Sequence, residues 1–292
     1  MEYVIKNSQL KVSISTEGAQ MKSIQNKAGK EFLWQGSKET WEESAPNLFP
    51  FVGRLTKETY TLHGKEHHMG IHGFAKLKEF TVLNQKEDCI TFILEDDKDT
   101  RKQYPFSFQF CVTYKLEENE IIITYKVYNK GNETMYFGLG GHPGFNVPLS
   151  EKLTFEDYMI EFENQVEPMQ IGMSEDCFVT ENNRRFILTE GKYLHLKHNL
   201  FDQDAIILQN TGNKVTLKSK KGKEEITVYY PNMNYLGIWH WPKTEVDYIC
   251  IEPWTSLPAR KEVVEELSMK EDLIKLEPNG EYVNPFSVRI NF

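Results

Sequence analysis

The stretch Phe106-Ser-Phe-Gln-Phe-Cys-Val-Thr-Tyr-Lys-Leu116 alternates large apolar side chains with smaller or polar ones over its whole length. Successive side chains of a β-strand point to opposite faces, so this period of two predicts a strand with one buried face. The segment Ile121–Tyr128 is also rich in β-branched and aromatic residues and follows the turn-like sequence Glu117-Glu-Asn119. Together the two segments predict an antiparallel hairpin.

Similar strand signals recur along the chain, with turn residues between them. Only Ala259–Leu267 has helical spacing. Roughly fifteen or more short strands with hardly a helix predict an all-β fold, a large antiparallel β-sandwich. Because no linker, repeat or low-complexity segment interrupts the pattern, we expect a single domain over residues 1–292. The other predicted strands lie in residues 2–15, Tyr60–Met69, Phe80–Leu83, Cys89–Leu94, Tyr158–Phe162, Tyr193–Leu196, Ala205–Leu208, Lys214–Ser219, Ile226–Tyr230, Leu236–Trp241 and Tyr248–Glu252.

Charge and composition exclude several classes of partner. The 292 residues carry a formal net charge of -9, with a pI near 5.5. Nucleic acids and anionic membranes attract clustered Lys and Arg, so this balance argues against both. The start of the chain has no basic region followed by an apolar stretch, and no window approaches ~18 consecutive apolar residues, so we expect neither a signal peptide nor a membrane span. The expected location is the cytoplasm.

The four cysteines and the sequence motifs argue against a disulfide framework and a cofactor. Cys89, Cys111, Cys177 and Cys250 stand far apart, without a CxxC pair, inside or beside apolar runs. That setting is typical of small buried side chains in a reducing compartment. Walker, Rossmann, GxSxG and CxxC zinc patterns are absent as well, so we expect no cofactor.

A histidine-rich hairpin raises the question of a metal site. His63, His67, His68 and His72 lie close in sequence, but zinc needs ligands that converge. Glycines at positions 64 and 70 exclude the helix that would bring ligands four residues apart together. We therefore expect no metal ion here.

The segment Phe137–Leu149 breaks the strand pattern, because four glycines and two prolines surround His142. Glycine permits positive φ or a close approach of the backbone, and proline fixes φ, so the segment predicts a shaped loop that presents His142. A lone loop histidine is more often a surface or hydrogen-bonded structural residue than a catalytic one. A catalytic role for His142 therefore requires a second functional group close to this imidazole.

Glu252 offers a partner from the second half of the chain. It ends the apolar strand Tyr248–Ile251, and we expect Pro253 to stop the strand ladder directly after it. An isolated glutamate at an edge usually faces water or pairs with lysine. A carboxylate that is desolvated against the neighbouring Trp254 would instead have a raised pKa and act as a better base near neutral pH.

Three further positions could contact a polar ligand. Arg54 follows the Pro- and Gly-rich segment Pro46–Gly53, where it could pair with a surface acid or donate to vicinal hydroxyls. His72 lies between two glycines, as His142 does. Asp202 and Asp204 precede a strand, and each could accept hydrogen bonds from a polyol or serve as a turn residue.

The ordered set Gly53-Arg54, His72-Gly73, Gly141-His142-Pro-Gly-Phe145-Asn146 and Ile251-Glu252-Pro253 resembles the aldose 1-epimerase (mutarotase) family, in particular its LacX-like branch. The resemblance covers essentially the whole chain and implies a large antiparallel β-sandwich with an open sugar-binding cleft. It implies that Arg54 contacts the sugar, that His72 is the first active-site histidine, and that His142 and Glu252 are the catalytic histidine and glutamate. The binding aspartate of the family falls at Asp202 or Asp204.

Two departures from the better-studied galactose mutarotases concern specificity. Leu55-Thr-Lys57 replaces an Asn-Arg-Ile sequence, and Gly144 replaces a tyrosine in the histidine motif. These differences put galactose specificity in question.

The chemistry of anomer exchange needs one base and one acid. A base removes the proton of the C1 hydroxyl while an acid protonates the ring oxygen, and the ring opens and closes on its other face. We assign Glu252 as the base and His142 as the acid, and we expect them to face one cleft across roughly the width of a sugar ring. His72 would form a hydrogen bond near the ring oxygen. Trp254 and Asn146 complete the expected substrate-binding residues, although Asn146 could instead pin the loop.

The expected partner is a small-molecule sugar, bound by a monomer or homodimer. One alternative is a hexose-6-phosphate 1-epimerase, in which Lys57, Lys76 and Arg260 would hold the phosphate. A second alternative is a non-catalytic sugar-binding protein. A third is a glycosidase or lyase that pairs Glu252 with Asp202 or Asp204.

Overall fold

The computed structural model of the protein describes residues 1–292 and consists almost entirely of β-strands. Helical structure is limited to α1 (Thr100–Gln103) and to single 3-10 turns at Thr56–Glu58, Ala75–Leu77, Phe155–Asp157, His198–Phe201 and Leu267–Met269. The strands are β1 (Glu2–Lys6), β2 (Leu10–Ser15), β3 (Met21–Asn26), β4 (Asn47–Leu48), β5 (Thr59–Leu62), β6 (Lys65–His68), β7 (Thr81–Gln85), β8 (Cys89–Glu95), β9 (Phe108–Glu117), β10 (Glu120–Asn129), β11 (Met135–Phe137), β12 (Gly140–Gly141), β13 (Gly144–Asn146), β14 (Tyr158–Phe162), β15 (Met169–Gln170), β16 (Arg184–Arg185), β17 (Tyr193–His195), β18 (Ile206–Gln209), β19 (Lys214–Ser219), β20 (Glu225–Tyr229), β21 (Tyr235–Trp239), β22 (Tyr248–Trp254), β23 (Glu265–Glu266), β24 (Ile274–Leu276) and β25 (Glu281–Asn291).

Two large sheets form the body of the fold. The first has nine strands in the order β17-β14-β19-β20-β25-β10-β9-β8-β7. The second has eight strands, and its path β16-β15-β18-β21-β22-β12-β4 is joined by β13 pairing with β22. Neighbouring strands within both sheets run antiparallel. The predicted all-β antiparallel fold is therefore confirmed.

The predicted hairpin lies within the nine-stranded sheet. Strands β9 and β10 pair along their whole length, with Tyr114 opposite Ile123. The alternating residues from Phe108 to Leu116 point into the core and are at most 3% exposed. Burial of one face explains why the period of two was readable from the sequence.

Aromatic packing and buried hydrogen bonds join the two sheets at β4. Phe49, which directly follows β4, stacks on Phe110 of β9 with ring centroids 4.6 Å apart. Beside it, the Tyr125 hydroxyl donates to the Asn47 side-chain oxygen over 2.7 Å. A core cluster of 66 buried residues extends from Ile5 to Ile290 and includes residues of both sheets.

The predicted helix at Ala259–Leu267 is wrong. Backbone groups at its start bond elsewhere: Ala259 N–H donates to Arg54 C=O, and Ala259 C=O accepts from Val179 N–H. Glu262 has a φ of 63°, which is incompatible with a right-handed helix. The segment instead reaches β23, whose Glu265 pairs with Tyr60. Tertiary hydrogen bonds thus override the helical spacing of its apolar residues.

The prediction that Pro253 stops the ladder is also wrong. Strand β22 continues through Pro253 to Trp254, which pairs with Tyr235 of β21 on one side and with Gly140 of β12 on the other. A proline removes only one N–H donor, and Pro253 itself lies in register opposite Leu236. Glu252 therefore lies inside a sheet and not at an edge.

Two sequence-based expectations concern features outside the sheets. None of the helices is both long and apolar enough to span a membrane. Four cysteines are present as free thiols, of which Cys111 and Cys250 are buried and Cys89 and Cys177 are partly buried.

The backbone at Gly73 gives a test of how tightly the loop with His72 is held. Gly73 has a φ of 74°, and a Cβ added there would lie 2.2 Å from the Phe49 carbonyl oxygen. Gly73→Ala should destabilise the protein by more than about 3 kcal/mol, since backbone must move in addition to the cost of the left-handed conformation.

The matched control is Gly64→Ala. Gly64 has a φ of 76°, but nothing lies within 4 Å of its added Cβ, so only the conformational cost of about 1 kcal/mol remains. Urea unfolding measures both variants. Equal losses in the two proteins would contradict the tight packing at Gly73.

Candidate active site

A cavity of about 460 Å³ lies beside β21 and β22. Its lining includes four of the five tryptophans, Trp41, Trp239, Trp241 and Trp254. It also includes His72, His142 and Glu252, which the sequence predicts as catalytic, and Arg54 and Asp204, which it predicts as substrate-binding. A cavity of this size with aromatic walls and a few polar groups is typical of a small-ligand site.

The glycine-rich loop around His142 is shaped by its pairing with β22. Gly140 lies opposite Trp254, and Gly144 lies opposite Cys250. A Cβ at Gly140 would lie 2.6 Å from Trp254, and one at Gly144 would lie 2.7 Å from Trp41. Only glycine permits this close approach, which brings His142 directly over the strand that carries Glu252.

His142 and Glu252 are in direct contact at the cavity wall. His142 Nε2 lies 3.1 Å from Glu252 Oε2, and the residues are 8% and 1% exposed. The expectation that both face one cleft is met, but the expected separation of a sugar-ring width is wrong. A contact distance suits the chemistry, since the C1 hydroxyl oxygen and the ring oxygen are bonded to the same carbon.

Several buried polar atoms at this wall lack hydrogen-bond partners within the protein. They are His142 Nδ1, Glu252 Oε2 and Trp254 Nε1; the close approach of Glu252 Oε2 to His142 Nε2 does not have hydrogen-bond geometry. Buried polar groups in native proteins are nearly always paired with protein, water or ligand. Glu252 and Trp254 line the cavity, so a hydroxyl-rich ligand is a suitable partner for their free atoms.

Burial controls the protonation of this pair. It raises the pKa of Glu252 well above the ordinary carboxyl value, an effect that Asp204 increases and the Trp254 indole opposes. Burial also lowers the pKa of His142 to about 3, to which the charge of Lys76 contributes. Both directions favour uncharged groups. The environment therefore favours a protonated carboxyl group beside a neutral imidazole.

His72 is held in a defined tautomer. The Gly53 N–H donates to His72 Nδ1 over 3.1 Å, so Nδ1 is the acceptor and the neutral ring carries its hydrogen on Nε2. The pKa of His72 is lowered by burial and by the neighbouring cations and His142. Its ring lies edge-on to that of His142, with centroids 5.6 Å apart. His72 can thus offer an Nε2–H donor to a ligand.

Arg54, Cys177 and Asp204 lie together at another part of the cavity. Burial, together with the adjacent Asp204, raises the pKa of the Cys177 thiol to about 11, although Arg54 opposes the shift. Asp204 lines the cavity, whereas Asp202 does not. Asp202 follows the 3-10 turn His198–Phe201. Of the two aspartates that the sequence left open, the structure therefore favours Asp204.

Asn146 does not line the cavity, and its predicted role in substrate binding is corrected. Its side-chain amide lies 3.3 Å from the Glu31 carbonyl and 3.2 Å from the Leu33 carbonyl and donates to both. The residue therefore pins the loop that carries His142, which is the second of the two roles that the sequence allowed.

Sequence reasoning missed several cavity residues. Trp41 packs on His142 with ring centroids 4.9 Å apart, and Glu43 forms an ion pair with Lys76 at 3.0 Å. The sequence predicts Cys177 only as a buried thiol. Trp41 and Glu43 lie in an irregular segment, so no local periodicity indicates which way their side chains point.

One set of side chains approaches the arrangement of metal ligands. His142, Cys250 and Glu252 have potential ligand atoms within 4.8 Å of one another. Metal binding requires a thiolate, but burial, reinforced by Glu252, raises the pKa of Cys250 well above the usual value. Burial therefore opposes formation of the Cys250 thiolate that metal coordination would need.

Comparison with known proteins agrees with this fold. The fold is a β-sandwich with a buried histidine–glutamate pair in an aromatic cavity. Residues 1–266 match the family model for aldose 1-epimerase. The chain belongs to the aldose 1-epimerase family, which is a family of carbohydrate epimerases.

Individual relatives cover almost the entire chain. The chromosomal and plasmid forms of protein LacX from Lactococcus lactis subsp. lactis are each 33% identical over 287 residues, 95% of both chains. A galactose mutarotase related enzyme from Lactobacillus acidophilus has 36% identity and a TM-score of 0.96, with 100% of this chain and 98% of that chain covered. A galactose mutarotase-like protein from Lactobacillus casei has 31% identity and a TM-score of 0.95, with full coverage of both.

The raised pKa of Glu252 predicts a gain in stability when its charge is removed. The ordinary pKa of a glutamate is 4.5, and that of Glu252 in the folded protein is higher. Such a carboxyl group does not destabilise the folded protein below pH 4.5, and it lowers the free energy of unfolding as the pH rises above 4.5. Glu252→Gln cannot ionise, so at pH 7 it should be more stable than the wild type by at least about 1 kcal/mol. Below about pH 4.5 the difference should disappear.

Glu265→Gln is the matched control. Glu265 is 3% exposed, and although burial alone would raise its pKa, hydrogen bonds from Arg260 hold it below the ordinary value. The ionised Glu265 therefore stabilises the folded protein at pH 7, and this stabilisation is lost in acid. Glu265→Gln should lower the free energy of unfolding by about 1–3 kcal/mol at neutral pH. Urea unfolding at several pH values distinguishes the two variants. A Glu252→Gln protein that is less stable than the wild type at pH 7 would contradict the raised pKa of Glu252.

Proposed function

We propose that the protein is an aldose 1-epimerase that interconverts the α and β anomers of a free hexose. The observation that carries the proposal is the buried contact of 3.1 Å between His142 Nε2 and Glu252 Oε2. Both side chains line one cavity. The pair supplies the one acid and one base that anomer exchange requires.

The reactive form carries the mobile proton of the pair on His142, which leaves a Glu252 carboxylate beside an imidazolium. Glu252 then removes the proton of the C1 hydroxyl while His142 protonates the ring oxygen. The bond between C1 and the ring oxygen breaks, and C1 becomes an aldehyde carbon. After rotation about C1–C2, His142 takes the proton back from the ring hydroxyl as it attacks C1, and Glu252 returns its proton to the carbonyl oxygen.

The remaining cavity residues orient the sugar in this proposal. His72 Nε2–H donates near the ring oxygen, because Nδ1 is occupied by the Gly53 N–H. Arg54 donates to vicinal hydroxyls, and Asp204 accepts from one. Trp254 packs against the apolar face of the ring and can donate its free indole N–H. No cofactor takes part.

The charges around the cavity favour a free sugar over a hexose 6-phosphate. Of Lys57, Lys76 and Arg260, the cations expected to hold a phosphate, only Lys76 lines the cavity. Its ammonium group donates to both oxygens of Glu43 over 3.0 and 3.2 Å. Arg260 lies outside the cavity lining and is bound to Glu265. An unpaired basic cluster for a phosphate is thus not formed by these three residues.

The site gives less support to a glycosidase or to a protein that only binds sugar. A glycosidase would use two carboxyl groups, whereas the contact partner of Glu252 is an imidazole. A purely sugar-binding protein would have no need to bury a histidine and a glutamate in contact. Four free thiols support a reducing compartment, and we propose a cytoplasmic location.

Glu252→Gln should reduce the rate of anomer exchange by about 10²–10⁴-fold, because the amide cannot take up the C1 hydroxyl proton. Polarimetry of freshly dissolved α-glucose and α-galactose, with the spontaneous rate subtracted, measures the effect. The control Glu265→Gln replaces a buried glutamate outside the cavity lining and should keep wild-type activity.

The same assay with the 6-phosphates of both sugars tests the substrate class. We expect faster exchange of the free sugars. A fully active Glu252→Gln would refute the assignment of the base, and a preference for the phosphorylated sugars would refute the proposed substrate.

A further inference from the structure

One polar atom of the histidine–glutamate pair has no role in the proposed reaction. Nε2 of His142 lies 3.1 Å from Glu252 Oε2, whereas the other ring nitrogen, Nδ1, is buried without a hydrogen-bond partner in the protein. Burial lowers the pKa of this ring, and the carbonyl group of His142 itself opposes the shift, but Nδ1 has no hydrogen bond to that carbonyl or to any other group. A buried polar atom of this kind needs a partner.

A second, small cavity, the rear cavity, is lined by His142 together with Asn47, Tyr114 and Tyr125. Its volume is about 10 Å³, close to the ~10–15 Å³ that a single water molecule needs when only the positions of its centre are counted. All of its lining residues are buried. His142 lines both this cavity and the large one that contains Glu252. The rear cavity thus has the size and the polar side chains of a site for one water.

Hydrogen bonds at the rear cavity decide which group can accept from a water molecule. Asn47 Nδ2 donates to the carbonyls of Gly18 and Ala19 over 2.9 and 3.0 Å, so Asn47 Oδ1 is an acceptor. The Tyr125 hydroxyl donates to this oxygen over 2.7 Å and therefore keeps free lone pairs. The Tyr114 hydroxyl is more fully used, because it donates to the Ala19 carbonyl over 2.6 Å and accepts from Asn47 Nδ2 over 3.0 Å. Tyr125 is thus the better acceptor of the two tyrosines.

The same part of the structure holds the backbone on both sides of the His142 ring. The Tyr125 hydroxyl lies 3.2 Å from the Gly140 carbonyl oxygen, and the Pro46 carbonyl accepts from the His142 N–H over 3.1 Å. Pro46 also lines the rear cavity, and a carbonyl oxygen has a second lone pair. The rear cavity therefore offers two acceptors for a water molecule that itself accepts from Nδ1.

We propose that the rear cavity binds one water molecule, which accepts a hydrogen bond from His142 Nδ1–H and donates to the Tyr125 hydroxyl and the Pro46 carbonyl. The hydrogen bond of one ring nitrogen decides the state of the other. The water therefore keeps a hydrogen on Nδ1 and leaves Nε2 as the nitrogen that gains and loses the proton. It also stabilises the imidazolium, whose charged N–H is the stronger donor. Tyr125 is thus a positioning residue for His142.

Two measurements on the wild type test the water site without turnover. A high-resolution crystal structure should show one water at ~2.7–3.2 Å from both His142 Nδ1 and the Tyr125 hydroxyl oxygen. Nitrogen NMR of protein with isotope-labelled histidine should show a hydrogen on Nδ1 of His142 and none on Nε2 at neutral pH, and the spectrum of His142→Gln identifies the signals. A rear cavity without water, or a hydrogen on Nε2 alone, would overturn the proposal.

Tyr125→Phe removes one acceptor of the water. Because the imidazolium is then less stabilised while the sugar contacts remain, kcat for glucose and galactose should fall about tenfold, with KM changed less than about twofold. In the NMR spectrum of this variant, part of the hydrogen should move from Nδ1 to Nε2. The control Tyr230→Phe also removes a buried hydroxyl, which donates to Thr211 over 3.1 Å and lies outside both cavity linings. It should change neither kcat nor the position of the hydrogen.

The outcomes separate this inference, whose kinetic part rests on the proposed function, from that function itself. A Tyr125→Phe protein with wild-type kcat and an unchanged hydrogen on Nδ1 would overturn the positioning role while leaving the epimerase assignment intact. An equal loss of kcat in Tyr230→Phe would overturn it as well, because the loss would then reflect a general loss of stability. If the wild type turns over no sugar, or if Tyr125→Phe does not fold, the crystal structure and the NMR spectrum of the wild type still decide whether the water site exists.

Discussion

The contact between His142 and Glu252 depends on how the glycine-rich loop pairs with strand β22. Gly140 and Gly144 flank His142 and lie opposite Trp254 and Cys250 of that strand. Side chains at either glycine would collide with tryptophan rings. Because the loop is fixed at both ends, the imidazole can lie 3.1 Å from a carboxyl group that is more than a hundred residues away in sequence.

The same pairing places both groups where water does not stabilise their charges. Burial raises the pKa of Glu252 and lowers that of His142 to about 3. Active sites commonly sacrifice stability in this way, and under the proposed function the electrostatic cost is offset by the use of both groups in proton transfer. Glu265 shows the opposite case, in which Arg260 satisfies a buried carboxylate that has a structural role.

Local patterns predicted the strands well, because a half-buried strand has the same period wherever it lies. Tyr158–Phe162 and Lys214–Ser219 were predicted with the bounds that the structure shows. The spacing of apolar residues predicts a helix at Ala259–Leu267. This prediction is wrong because the hydrogen bonds of the segment to Arg54 and Val179 are long-range and leave no local signal. Contacts between residues that are distant in sequence also decide the position of Asp202, Asp204, Asn146 and Trp41. Local patterns therefore do not choose between the two aspartates, do not show that Asn146 holds the loop, and do not place Trp41 in the cavity. The family motifs identified His72, His142 and Glu252, but only the three-dimensional pairing shows that two of them are in contact.

The central claim is that His142 and Glu252 act as one proton-transfer unit. The most direct measurement is magnetisation exchange between the α and β anomeric protons of a sugar at equilibrium, with the wild type, His142→Gln, Glu252→Gln and the double variant. Residues that act as a unit are not additive, so each single variant should lose about as much rate as the double variant. Losses that multiply in the double variant, or a His142→Gln that retains the wild-type rate, would contradict the claim.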